Sequence, residues 1–130
     1  MTTDALRYVA AALVLVVAGV HWQQYVELLN QVDTVGPLFL LNAAGGAALA
    51  VLLLQRDVTL RILGALGAIP LCLGSLISIV LSMGDGIFGY QEPDWRAAVV
   101  VAVVAEVAAL PVLLAYLART YTARQWDGAR

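Results

Sequence analysis

The stretch AAVVVAVVAEVAALPVLLAYLA, residues 97–118, decides the fold. As a helix rising ~1.5 Å per residue it measures about 33 Å, enough to cross a hydrocarbon core of about 30 Å. Its one strongly acidic or basic residue is Glu106, near the middle. A charge at that depth is costly, so Glu106 is expected to face a protein interior or a wet cavity and is a functional candidate by default.

Three further apolar runs precede this one, giving spans at about 6–28, 36–54, 60–82 and 97–118. The chain is 62% hydrophobic and 12% charged, with a mean hydropathy of +0.89. That is too apolar for a soluble domain of ordinary make-up. The expected fold is therefore all-α: a polytopic membrane protein with a four-transmembrane-helix bundle, and a single membrane domain over residues 1–130.

Residues Thr2 to Asp4 suit the start of the first span, which runs through an apolar stretch into the more amphipathic QQYVELL. A secretory signal cut between Ala18 and Gly19 is the competing reading of this segment. In the second span Pro37 fits the first turn, and Asn42, Gly45 and Gly46 interrupt the apolar run. The third span has Pro70 in its interior, where a kink is expected. Gly74, Ser78 and Ser82 recur in it every four residues and predict a face where a neighbouring helix approaches closely. The connection MGDGIFGYQEPDWR combines turn residues with Phe88, Tyr90 and Trp95, aromatics suited to a membrane boundary, as are Tyr121 and Trp126 in the tail.

Orientation follows from the arginines, the only basic side chains apart from His21. With four spans both termini share one side, and that side collects Arg7, Arg56, Arg61, Arg119, Arg124 and Arg130, leaving Arg96 alone on the other. The positive-inside rule then predicts cytoplasmic N- and C-termini.

Counting inward from the outer ends at ~1.5 Å per residue places His21, Asn42 and Ser75 about 9–10 Å deep and Glu106 about 14 Å deep. One polar residue from each span thus falls at similar depth. Gln24 and Tyr25 follow His21 at three and four residues and so share its face. His21 and Asn42 also fit the plainer role of hydrogen-bonding glue between helices, and Ser75 can satisfy its own helix. For Glu106, structural and proton-exchanging roles stay open together.

Other chemistries find little support. Cys72 is the only cysteine, so neither an intrachain disulfide nor a CxxC site can form. The acidic group Asp85, Glu92 and Asp94 lacks the spacing of a calcium loop. No nucleophile elbow, phosphate loop or HExxH is present, and a net charge of -2 with scattered arginines offers no basic stripe for nucleic acid. No metal site is expected, and no particular cofactor is specified.

Gly19-Val20-His21 and Val35-Gly36-Pro37-Leu38-Phe39-Leu40-Leu41-Asn42 resemble a pattern of uncharacterised four-helix integral membrane proteins of actinobacteria. The resemblance covers the first half of the chain and implies a fold and a genome type, but no activity; the expected location is a bacterial inner (plasma) membrane. Small multidrug transporters also combine four helices with a membrane glutamate, but theirs lies in the first helix. Rotary ATPase proteolipids carry one in helix four, yet have a glycine-rich first span.

The expected function is that of a binding or accessory subunit. It would hold a lipid-like or quinone-like ligand, or a larger membrane complex, at the layer of Glu106, His21, Asn42, Ser75, Gln24 and Tyr25. The alternatives are a proton-coupled small carrier using Glu106 and a purely structural membrane subunit. Enzyme activity ranks last, because one acid and one histidine specify no reaction. The bilayer is the expected partner of such a chain, and a homo-oligomer is compatible with it.

Overall fold

The computed structural model describes the backbone of residues 1–128 and the side chains through residue 125. Trp126 and Arg130, expected at the boundary and on the cytoplasmic side, lie outside the described side chains. Four long helices follow one another: α1 (Thr3–Gln24, continued by a π-turn over Tyr25–Leu29), α2 (Val35–Leu54), α3 (Val58–Met83) and α4 (Ala97–Gly128). All four are long and apolar enough to cross a membrane. No strand is present among the described residues, only a single bridge between Ile87 and Tyr90. The chain is an all-α, multi-pass membrane bundle.

Local chemistry sets the ends. Thr2 Oγ1 accepts from the Ala5 amide at 3.1 Å, a side-chain cap for α1. Asp57 caps α3 by accepting from Thr59 and Leu60 at 2.8 and 3.0 Å. These two amides hold its carboxyl below the usual value. The α1–α2 corner is tight, with Thr34 at φ 67° and the Leu29 carbonyl lying against Gly36, where a Cβ would collide with it. Helix α4 runs ten residues past the expected 118. No Gly or Pro interrupts the chain between Pro111 and Gly128, and Ala, Arg and Gln in that segment are good helix formers.

Helix α1 packs on α2 and α4, α3 completes the ring between α2 and α4, and α1 and α3 lie diagonally. The side nearer the termini is the dense side. Its core is built from Leu6, Ala10, Ala11, Val14, Ala50, Leu53, Ala65, Ala68, Cys72, Ala109, Leu113 and Tyr116. Large residues such as Leu41, Leu63, Ile77, Val80 and Val104 are instead exposed on the outer surface. A core rich in alanine, with many large apolar residues left on the outer surface, suits a lipid solvent, where close backbone approach holds helices together.

The close approach lies elsewhere than the glycine and serine spacing predicts. A Cβ at Gly74 would meet nothing within 4 Å, so the Gly74–Ser78–Ser82 face is not pressed against a neighbouring helix. The tight positions on backbone or Cβ include Gly64, where a Cβ would stand 2.9 Å from Leu52 Cβ and from Leu53 N, and Gly46, 3.1 Å from Ala18 Cβ, while at Gly67 a Cβ would collide with the Leu49 side chain. Gly64 faces α2 at the dense end, whereas α3 at Gly74, farther from the termini, borders open space. Gly64→Ala is therefore expected to cost about 1–3 kcal/mol through overpacking. Gly74→Ala should leave stability unchanged or slightly raised, since alanine is the better helix former. Thermal unfolding in detergent compares the two directly.

Candidate functional site

Where the seam of alanines ends, the bundle opens into a cavity of about 440 Å³ between the halves of α2 and α3 that lie away from the termini. It is bounded by one stripe of α2 (Val35, Leu38, Phe39, Asn42), one of α3 (Leu71, Gly74, Ser75, Ser78), and the facing ends of α1 and α4. Spacings of three and four along each helix put these residues on one face. The loop 84–96 borders the cavity with Ile87, Phe88, Tyr90 and Glu92.

That loop is ordered by a two-residue hairpin turn. Ile87 and Tyr90 exchange backbone bonds at 2.8 and 2.9 Å, and the two central residues, Phe88 and Gly89, have φ of 48° and 77°. Positive φ at both positions is the twist that joins tight antiparallel partners. The Glu92 amide then donates to the Ser82 carbonyl at 2.9 Å, tying the loop to the end of α3.

His21 projects from α1 to the cavity wall. Its Nδ1 lies 2.9 Å from the Val17 carbonyl, which can only accept, so Nδ1 carries the hydrogen. In the neutral ring Nε2 is then an acceptor, and the Ser75 hydroxyl donates to it at 3.2 Å across the bundle. Phe39 lies against the imidazole, with ring centroids 4.9 Å apart and tilted by 41°. Asn42 lines the same cavity, and its Oδ1 is buried without a hydrogen-bond partner.

Glu106 is fully buried, but it stands behind the cavity wall rather than on it. Neither carboxyl oxygen has a hydrogen-bond partner, although Ser75 and Cys72 lie close enough to act on the group. Ser75 is thus the side chain between Glu106 and His21. Of the residues expected to share a site, His21, Gln24, Asn42 and Ser75 do line one cavity, and Glu106 adjoins it. Tyr25 does not. At the edge of the His21 face, where α1 passes into its π-turn, it is half-buried beside Trp22 with ring centroids 6.1 Å apart.

The sequence reading did not foresee the cluster at the cavity mouth. Arg96 donates through Nε and Nη2 to both Glu92 oxygens at 2.7 and 2.9 Å, and through Nη1 to Gln24 Oε1 at 2.6 Å. The Tyr90 hydroxyl donates to Glu92 at 2.8 Å. Burial, followed by its bond to the neighbouring carboxylate, pushes the Tyr90 phenol up to about 12, which keeps it a donor. The available signal was an arginine apart from the other six and four residues after an acid. Glu92 is therefore buried, not the exposed outer-loop carboxylate its neighbours Asp85 and Asp94 suggest. No group of three metal-ligating side chains occurs among the described residues.

The Arg96 bonds, helped by the Tyr90 hydroxyl, hold the Glu92 carboxyl below its ordinary 4.5. A group depressed in the folded state contributes stability fully above its unfolded value and loses it as pH falls through the folded value. Below pH about 4.5, wild-type protein should lose stability, and Arg96→Gln should flatten that acid dependence. At neutral pH Arg96→Gln is expected to cost on the order of 1–2 kcal/mol, because hydrogen bonds to charged groups are lost. Thermal unfolding against pH measures both effects.

Comparison of the chain with protein-family models, curated proteins and solved structures finds no match.

Proposed function

We propose that this four-helix membrane protein is a binding or accessory subunit that holds a lipid-like or quinone-like ligand in the cavity between α2 and α3. The observation that carries the reading is the cavity itself. At about 440 Å³ it falls in the range of about 300–1,000 Å³ typical of small-molecule sites. Its wall is mostly apolar, with a few converging polar groups, as such sites require. Several of the residues that carry the actinobacterial resemblance, His21, Phe39 and Asn42 among them, lie on this wall.

In this proposal the termini face the cytoplasm of a bacterial inner membrane, and the cavity lies in the outer half. Support comes from the arginine asymmetry, which puts Arg7, Arg56, Arg61, Arg119 and Arg124 at one end. Asp33, Arg56 and Asp94 are all exposed, and the lone Cys72 is buried. Cysteines placed at Asp33 and Asp94 should therefore react with an impermeant thiol reagent in intact cells, while one at Arg56 should not. The reverse pattern would invert the orientation.

The direct test of binding is native mass spectrometry of the gently extracted protein. Wild type should carry a small lipophilic adduct. Gly74→Leu should lose it while remaining folded, because Gly74 borders the cavity and has free space beside it. An adduct equally retained by Gly74→Leu would remove the cavity from the function.

A carrier reading is favoured by one observation, the buried and unpartnered Glu106 beside Ser75. Proton-coupled uptake in proteoliposomes that Glu106→Gln abolishes would replace the binding reading with that one.

A further inference from the structure

Nearly every polar side chain on the cavity wall is committed within the protein. His21 is bonded through both ring nitrogens. The Ser78 hydroxyl donates to the Gly74 carbonyl at 2.8 Å, and the Ser82 hydroxyl to the Ile79 carbonyl at 2.9 Å. Gln24, Tyr90, Glu92 and Arg96 close on one another at the mouth. On this wall only Asn42 keeps a buried side-chain atom, Oδ1, without a partner. A buried polar atom left unpaired is the exception in folded proteins and calls for a partner.

Charge narrows the partner further. Arg96 is the one arginine on the wall, and Glu92 takes two of its bonds. With His21 neutral the wall has no net charge. An anionic head would meet an already neutralised guanidinium and the Glu92 carboxylate. A cationic head would have to compete with Arg96 for that carboxylate. A hydroxyl meets neither obstacle. Because it both donates and accepts, it satisfies Asn42 whichever way the amide is turned.

Resting on the binding reading above, we infer that the cavity selects an uncharged amphiphile with a hydroxyl head seated on Asn42 and an apolar body along Leu38, Phe39 and Leu71. Aliphatic alcohols and alkylated hydroquinones share this chemistry.

The test uses the full chain in phosphatidylcholine nanodiscs, whose lipid has no free hydroxyl. The discs are doped at equal mole fraction with dodecanol, dodecylhydroquinone, dodecyl methyl ether or dodecanoate. Native mass spectrometry reads the probe retained. At least one hydroxyl probe should be retained roughly tenfold over the ether and dodecanoate, and the better of the two tells an aliphatic from a phenolic hydroxyl. Asn42→Leu should abolish that preference while retaining the ether as wild type does, which shows that its cavity is intact. Asn42→Ala, which cannot crowd the wall, should behave in the same way. Ser78→Ala should keep the preference, since that hydroxyl is spent on its own helix.

Equal retention of the ether, preferred retention of dodecanoate, or a preference that survives both Asn42 variants would overturn the hydroxyl inference and leave the binding reading standing. Retention of no probe by wild type would instead bring down the binding reading.

Discussion

Helices in lipid gain little by hiding apolar side chains from one another, because the solvent is equally apolar, so what holds this bundle is how closely its backbones can approach. Ala10, Ala50, Ala65, Ala68 and Ala109 are fully buried, and Gly64 lies where α2 leaves no room for a side chain. The seam runs through the half of the bundle that holds the termini. Where it gives way to Asn42, Ser75 and His21, the helices no longer close on one another and the cavity begins. A tight half and an open half are thus two results of the same constraint.

The ends of the bundle are closed by arginines in two different ways. Near the termini, Arg7 Nη1 and Arg61 Nε both donate to the Gln55 carbonyl, at 3.2 and 2.5 Å, just past the end of α2. Positive charge there suits the partial negative charge of a helix C-terminus. At the other end Arg96 joins the loop to α1 through Glu92 and Gln24. The first arrangement neutralises backbone beside an apolar core. The second is made between side chains at the rim of a cavity, which makes Arg96 a determinant of both the loop's position and the cavity's charge.

The spans were legible in the sequence because membrane thickness imposes a minimum length, and all four runs exceed it. The polar layer was legible for a related reason, since rise per residue converts position into depth. His21 and Ser75, fifty-four residues apart, do meet at the expected level. Azimuth was not recoverable in the same way. The four-residue spacing of Gly74, Ser78 and Ser82 describes one face of α3 but not what stands opposite it, and that proved to be open space. The pairing of Glu92 with Arg96 was not legible because both precede α4, in a non-helical segment where a four-residue spacing fixes no shared face.

The placement of Glu106 then separates two kinds of influence. It sits behind the cavity wall with both oxygens unpartnered, and Ser75 stands between it and His21. A ligand in the cavity can bond to wall groups such as Asn42 without touching the carboxyl. Glu106 meets that ligand across the wall, with Ser75, bonded to His21, as the side chain between them. Because the Val17 carbonyl keeps the hydrogen on Nδ1, the neutral ring cannot exchange the roles of its two nitrogens. The direction of the Ser75 hydrogen bond is therefore fixed by α1 as long as His21 is neutral. This arrangement lets the cavity present a neutral, hydrogen-bonding surface even though an acid lies directly behind it.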